Sequence, residues 1–130
     1  MSGHLLDTSI FVAAEQGRPL GSPPTGVARI SVATLTELSV GVRRATGPVL
    51  PLREMTLARA RRFIALPYDE RVAERLAEIL AAACAAGRRA GAMDAIIAAT
   101  ALTHDLTVWT QEDDFAVLAE LAPDLRVHRS

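Results

Sequence analysis

The chain has 130 residues, of which 14 are arginines and 15 are acidic, so its formal net charge is −1 and it contains no lysine. A chain of this length predicts one domain, residues 1–130, large enough to bury a hydrophobic core without crosslinks. The one cysteine, Cys84, excludes an internal disulfide framework and the tetrahedral Cys/His zinc patterns. The missing lysine excludes a P-loop and Schiff-base catalysis.

Nothing in the sequence indicates export or membrane insertion. The N-terminus lacks a basic segment followed by an apolar one, and the longest apolar run, 79–86, is far shorter than the roughly 20 residues needed to cross a bilayer. A lone cysteine fits a reducing compartment. We therefore expect a cytoplasmic protein.

The first half of the chain predicts strands that alternate with helices. A short strand ends near Asp7, and a helix begins at Thr8 or Ser9, which are both good N-cap residues. Three glycines and three prolines in residues 17–26 predict a loop. The elements expected after it are a strand over 27–32, a helix over 34–44, a loop over 47–51 and an amphipathic helix over 52–64 that Pro67 stops.

The second half continues the alternation. Asp69 is expected to cap a helix over 70–86, whose apolar residues repeat at helical spacing. A basic turn between Gly87 and Gly91 precedes the remaining elements: a helix over 93–103, a strand over 106–110, a short helix near Phe115 and a strand over 125–128. Strands alternating with helices predict an α/β fold with a mostly parallel sheet.

Acidic residues fall at the ends of predicted strands and the starts of predicted helices. Because the carboxyl ends of parallel strands meet at one edge of a sheet, we expect these side chains to converge. Carboxylates brought together repel one another unless a cation neutralises them, and carboxylate oxygen suits Mg²⁺. The pattern indicates metal-assisted hydrolysis of a phosphodiester. The acids are Asp7, Glu37, Asp94, Glu112 and Asp114.

Each acid also has a purely structural interpretation. Asp7 could cap the first helix, and Thr34-x-x-Glu37 matches a capping box. Asp94 could be a first-turn acid favoured by the helix dipole, and the acidic run 112–114 could be a solvated turn. The sequence alone leaves these alternatives open.

Four blocks of the sequence, in order, resemble the acidic motifs of PIN-domain ribonucleases, and most closely the small VapC-type toxins of bacterial toxin–antitoxin pairs. They are LLDTSIF, ISVATLTELSVGV, MDAIIAATAL and TQEDDF. The resemblance covers nearly the whole chain. It implies a PIN-like three-layer α/β/α sandwich with a mostly parallel central sheet.

The resemblance also implies roles for individual residues. Asp7, Glu37 and Asp94 would be the core acids that bind Mg²⁺ or Mn²⁺, with Asp114 as a further ligand. Glu112 joins them as a catalytic acid, although the family more often carries Asp or Asn there, so that its longer side chain would bind metal through water or not at all. Thr8 and Thr110 resemble hydroxyl residues of the family that would orient carboxylates or metal-bound water, and both are candidate substrate-binding residues.

Arginines supply a candidate RNA-binding face. Residues 43–62 contain six arginines against one acid, Glu54, and guanidinium groups suit phosphate. Arg43 and Arg44 are the substrate-binding candidates in this stretch. Arg88 and Arg89, just before Asp94, come second. The alternative is an ordinary solvated helix face.

The function implied is that of a Mg²⁺- or Mn²⁺-dependent endoribonuclease toxin, forming a homodimer and inhibited by a cognate antitoxin, with tRNA or rRNA as substrate. Two rivals remain at this stage. A phosphatase with an aspartyl nucleophile needs a second Asp at position 9 and a lysine, and the chain has Ser9 and no lysine. A catalytically silent PIN-like domain would only bind RNA or a protein. The sequence leaves open the RNA cut, the number of ions, the antitoxin and which of residues 112–114 is the fourth ligand.

Overall fold

A computed structural model describes residues 3–130 of the chain. The five strands of these residues are β1 (Gly3–Leu6), β2 (Ala28–Ser31), β3 (Ile64–Leu66), β4 (Leu106–Thr110) and β5 (Val127–Arg129). They form one sheet in the order β3-β2-β1-β4-β5, and every neighbouring pair is parallel. The predicted mostly parallel sheet is therefore confirmed. Its central strands, β1 and β4, are neighbours, so their carboxyl ends lie side by side.

Helices cover both faces of the sheet. They are α1 (Thr8–Glu15), α2 (Val32–Arg44), α3 (Val49–Ala60), α4 (Glu70–Ala85), α5 (Ala92–Thr103) and α6 (Asp114–Leu121). Side chains alternate across a strand, so Leu6 packs with α1, α2 and α3 on one face, and Leu5 packs with α4, α5 and α6 on the other. The predicted three-layer α/β/α sandwich is confirmed.

Helix α5 is the most buried helix of the fold. Ala95, Ile97, Ala98 and Ala99 have no exposed surface, since the helix packs against α4, α2 and the strands β1 and β4. A helix apolar on all sides is typical of a protein interior. Within residues 3–130 no helix combines the length and the apolar character needed to span a membrane.

One predicted helix is partly wrong. Residues 52–64 were expected to be helical, whereas α3 covers Val49–Ala60 and Ile64–Leu66 forms the edge strand β3. Pro51 lies in the first turn of α3, where a backbone N–H has no helical partner to lose, so the helix begins inside the predicted loop 47–51. Strand β3 was missed because three residues are too few to show a period.

The start of α2 corrects the interpretation of Glu37 as a capping residue. Ser31, not Thr34, is the N-cap, because its Oγ accepts a hydrogen bond from the backbone N of Ala33 at 3.0 Å. Thr34 lies within the helix and is fully buried. The capping box Thr34-x-x-Glu37 is therefore wrong, and the position of Glu37 needs another explanation.

Candidate active site

Asp7 is a buried carboxylate at the carboxyl end of β1, with 2% of its surface exposed. Its Oδ2 accepts hydrogen bonds from Ser9 Oγ at 2.6 Å, Thr110 Oγ1 at 2.9 Å and Ser9 N at 3.3 Å. The last of these makes Asp7 the N-cap of α1, as one interpretation of the sequence held. Among residues 3–130 no group donates to Oδ1, so capping leaves one oxygen of Asp7 for a ligand.

Two hydroxyls join the ends of β1 and β4 around Asp7. Ser9 Oγ accepts from Gln111 N at 2.9 Å, and Thr110 Oγ1 accepts from Glu112 N at 3.0 Å. Sequence reasoning considered Ser9 as a helix cap and as the position where a phosphatase would need Asp, and it missed this contact. The spacing Asp-x-Ser was the available signal, since such pairs commonly hydrogen-bond locally, but nothing local indicated Gln111 as a partner.

Glu37 projects from α2 toward α1. Its Oε1 accepts a hydrogen bond of 2.6 Å from Thr8 Oγ1, which lies 3.1 Å from Thr34 Oγ1. Burial raises the pKa of Glu37, the hydrogen bond from Thr8 opposes this rise, and the charge of Asp7 adds to it. As in Asp7, only one carboxylate oxygen accepts a hydrogen bond within residues 3–130.

Asp94 stands in the first turn of the buried helix α5. Burial, followed by repulsion from the other four acids, raises the pKa of Asp94 to about 7. The repelling groups, in decreasing order of effect, are Asp7, Glu37, Glu112 and Asp114. The five predicted acids are thus close enough to act on one another, at the carboxyl edge of the sheet.

Three of the carboxylates lie close enough together to share a cation. Asp94, Glu112 and Asp114 each offer an oxygen within 4.8 Å of the others. Opposite ligands of Mg²⁺ lie about 4.2 Å apart, so small side-chain movements would suffice for one ion. The pKa of Glu112 is raised by burial and by the neighbouring carboxylates. Asp113 instead pairs with Arg129 at 2.8 Å and lies outside this group.

The arginines predicted to bind substrate lie elsewhere. Arg43 and Arg44 are exposed in the last turn of α2. Arg43 lines a cavity between α2 and α3 with Glu54 and Arg61, and none of the five acids borders that cavity. Within residues 3–130, neither arginine forms an ion pair with any of the five acids.

Comparisons with known proteins agree with this geometry. A family model described as PIN domain matches residues 4–121. Ribonuclease VapC5 of Mycobacterium tuberculosis is 41% identical over 117 residues, which are 88% of this chain and 86% of that protein. Ribonuclease VapC4 of the same organism is 38% identical over 95% of this chain and 93% of that protein.

A solved structure shares the whole fold. It is the crystal structure of VapBC-5, a member of the VapBC family of toxin–antitoxin systems from M. tuberculosis, with a TM-score of 0.84 and 32% identity. The match covers 100% of both chains. A DNA-bound VapBC from Salmonella typhimurium, at 24% identity and a TM-score of 0.80, shows the same fold.

Replacing Thr110 tests the hydroxyl network around Asp7. Thr110→Val keeps the shape of a fully buried side chain but removes a donor to Asp7 and the acceptor of Glu112 N. We expect the free energy of unfolding, measured by urea titration, to fall by about 2 kcal/mol. Thr107→Val, in the same strand, loses one exposed contact with Arg126 and should change it by less than about 0.5 kcal/mol. Equal losses of stability in Thr110→Val and Thr107→Val would contradict the stabilising role of the hydroxyl network around Asp7.

The raised pKa of Asp94 predicts a pH-dependent stability. The folded state of the metal-free protein holds this proton more tightly than the unfolded state, so its stability falls as the pH rises from about 4 through about 7. In EDTA, Asp94→Asn should therefore raise Tm by about 5 °C at pH 8 and by little at pH 4. Thermal unfolding monitored by circular dichroism measures both. Glu74→Gln, at an exposed position of α4, is the control and should leave Tm unchanged at each pH.

Proposed function

The chain belongs to the PIN domain family, and on that premise we propose that it is a metal-dependent endoribonuclease, the toxin of a toxin–antitoxin pair. The observation that carries the proposal is the convergence of five carboxylates at one edge of the sheet, with the pKa of Asp94 raised to about 7. Relatives about 40% identical over most of their length are named ribonucleases. We treat residues 1–130 as one PIN-like domain.

The proposed cation is Mg²⁺ or Mn²⁺, and its ligands are Asp7, Glu37, Asp94 and Asp114. Asp94 and Asp114 belong to the group of three that can share one ion. One carboxylate oxygen of Asp7 and one of Glu37 accept hydrogen bonds from hydroxyl groups. The other oxygen of each carboxylate would bind the ion. We assign Glu112, which has the longer side chain, to a contact through water. A bound cation would remove the repulsion that raises the pKa of Asp94.

The chemistry that a divalent cation supplies when bound is activation of a water molecule for attack on the phosphodiester and stabilisation of the leaving oxygen. The side chains of the protein hold the carboxylates in place. Thr110 and Ser9 fix the carboxylate of Asp7, and Thr8 fixes that of Glu37, so these anions do not need to reorganise during the reaction. Thr8 and Thr110 therefore act through carboxylates, and we do not retain them as direct substrate contacts.

The remaining elements of the proposal concern partners. The homologous VapBC-5 is a toxin–antitoxin system, and we propose a cognate antitoxin as the inhibitor of this chain. We further propose a homodimer in the cytoplasm, with tRNA or rRNA as substrate. A catalytically silent domain is not favoured, because all five acids are present and meet. An aspartyl phosphatase is not favoured either, because Ser9 binds Asp7 where a second Asp would be needed.

Cleavage of RNA by acid variants tests the proposal. Purified, antitoxin-free protein is incubated with total cellular RNA, and discrete products are expected with Mg²⁺ and not with EDTA. Asp94→Asn and Asp114→Asn should each reduce the rate on the order of 100-fold or more, because they remove ligands of the ion. Glu112→Gln should reduce it by less. Asp113→Asn is the matched control and should retain the wild-type rate, since Asp113 pairs with Arg129.

Two outcomes would overturn the assignments. The same products from Asp94→Asn at the wild-type rate would refute the metal-dependent nuclease. Loss of cleavage in Asp113→Asn with full activity in Asp114→Asn would show that the fourth ligand is Asp113 and not Asp114.

A further inference from the structure

Two arginines outside the stretch 43–62 border the acidic edge from opposite layers of the sandwich. Arg18 follows α1, which packs on the face shared with α2 and α3. Arg89 lies in the loop between α4 and α5, which pack on the other face. The carboxylates of Asp94, Glu112 and Asp114 lie at the edge of the sheet that separates these layers.

Arg89 borders the acids through a cavity. A cavity of about 220 Å³ is lined by Arg89, Gly91, Asp94 and Asp114, with apolar residues of α6 at its base. Within residues 3–130, Arg89 forms no ion pair. Its neighbour Arg88 differs, since Arg88 pairs with Glu120 at 3.2 Å. Of two adjacent arginines, one is engaged in the fold and the other is available at the site.

Arg18 is held near the opposite end of the acidic group. Its backbone N donates to the carbonyl of Ala13 at 2.9 Å, and the carbonyl of the next residue, Pro19, accepts from Gln111 Nε2 at 3.0 Å. Gln111 immediately precedes Glu112, and the positive charge of Arg18 lowers the pKa of Glu112 against the other influences on it. Arg18 likewise has no ion pair in the described part of the chain.

The arginines of the stretch 43–62 make other contacts. Arg53 pairs with Glu15 at 3.0 Å, which ties α3 to α1. Arg43 and Arg61 share their cavity with Glu54. Arg53 also lines a cavity of about 130 Å³ with Thr8 and Glu37, but its ion pair with Glu15 already engages its guanidinium. The arginines next to Asp94, Asp114 and Glu112 lie outside this stretch.

We propose that Arg18 and Arg89 bind the RNA phosphates on either side of the scissile phosphodiester, so that the strand crosses the carboxyl edge of the sheet from one helical layer to the other. The proposal rests on the ribonuclease function proposed above and deepens it. A guanidinium stays charged at every working pH and binds phosphate through paired donors. Two such groups would offset the repulsion between an RNA backbone and the flanking carboxylates.

Affinity for RNA tests the proposal independently of cleavage. The probe is a fluorescein-labelled single-stranded 20-mer RNA of mixed sequence, bound by the full chain in the Asp94→Asn background and followed by fluorescence anisotropy. Arg18→Ala and Arg89→Ala should each raise Kd about tenfold and lower the slope of log Kd against log salt by about 0.7. Arg88→Ala and the double variant Arg43→Ala/Arg44→Ala should leave Kd within twofold.

Cleavage of the same RNA by the otherwise wild-type protein separates binding from chemistry. Arg18→Ala and Arg89→Ala should raise KM and leave kcat within about twofold, because the arginines hold the strand and not the reacting water. Unchanged Tm shows that a variant is folded.

The inference is overturned if the RNA does not bind, if Kd and the salt slope are unchanged in Arg18→Ala and Arg89→Ala, or if Arg88→Ala or the Arg43/Arg44 variant weakens binding equally. If the arginine variants weaken binding as expected but the wild type with Mg²⁺ cuts nothing, the phosphate contacts stand and the nuclease function fails.

Discussion

Repulsion among carboxylates is the constraint that organises this end of the molecule. The parallel order of β1 and β4 places Asp7 beside the acidic run after Thr110, and the start of the buried helix α5 adds Asp94. Burial favours the protonated form of a carboxylate, and repulsion from neighbouring carboxylates adds to this effect, so the pKa of Asp94 is raised to about 7. The divalent cation that we propose would neutralise this concentration of negative charge.

The protein meets this constraint with hydroxyl groups, and within residues 3–130 no arginine forms an ion pair with any of the five acids. Ser9 and Thr110 donate to Asp7, and Thr8 donates to Glu37, so two carboxylates are fixed without being neutralised. The hydrogen bond from Ser9 N that makes Asp7 the N-cap of α1 also helps to fix the position of Asp7 as a candidate catalytic acid. Structural and functional roles of Asp7 are therefore compatible, although the sequence presented them as alternatives. An arginine bonded directly to these oxygens would occupy the place of the ion.

Much of the fold follows from local sequence signals. The Asp69 cap and the regular apolar spacing predicted α4, and β4 was predicted over its whole length because its side chains are apolar and β-branched. Strand β3 was missed because its three residues carry no periodicity, and its pairing with β2 is a tertiary effect. The start of α2 was misplaced because Ser31 and Thr34 are both acceptable caps, and burial of Thr34 decided between them.

Four acids of the candidate site could be identified from sequence because they stand at strand and helix ends, which the topology brings together, whereas Glu37 lies in the second turn of α2. The residues that contact those acids could not be identified from sequence. Ser9 binds the backbone of Gln111, which is 102 positions away, and Arg18 reaches the site only because a loop crosses the end of β4. The density of charge indicated residues 43–62, whereas Arg18 and Arg89, which lie next to the acids, are single residues in loops. Contacts between distant segments are set by the packing of helical layers, and no short motif encodes them.

The most direct test of the central claim is an NMR titration of the Asp94 carboxyl carbon in the presence of EDTA and again with saturating Mg²⁺. The account predicts a pKa of about 7 without the ion. With Mg²⁺ the pKa should fall below about 5, since the cation favours the charged form. A pKa near the ordinary value of about 4 in EDTA, unchanged by Mg²⁺, would contradict it, because the carboxylates would then neither repel one another nor share an ion.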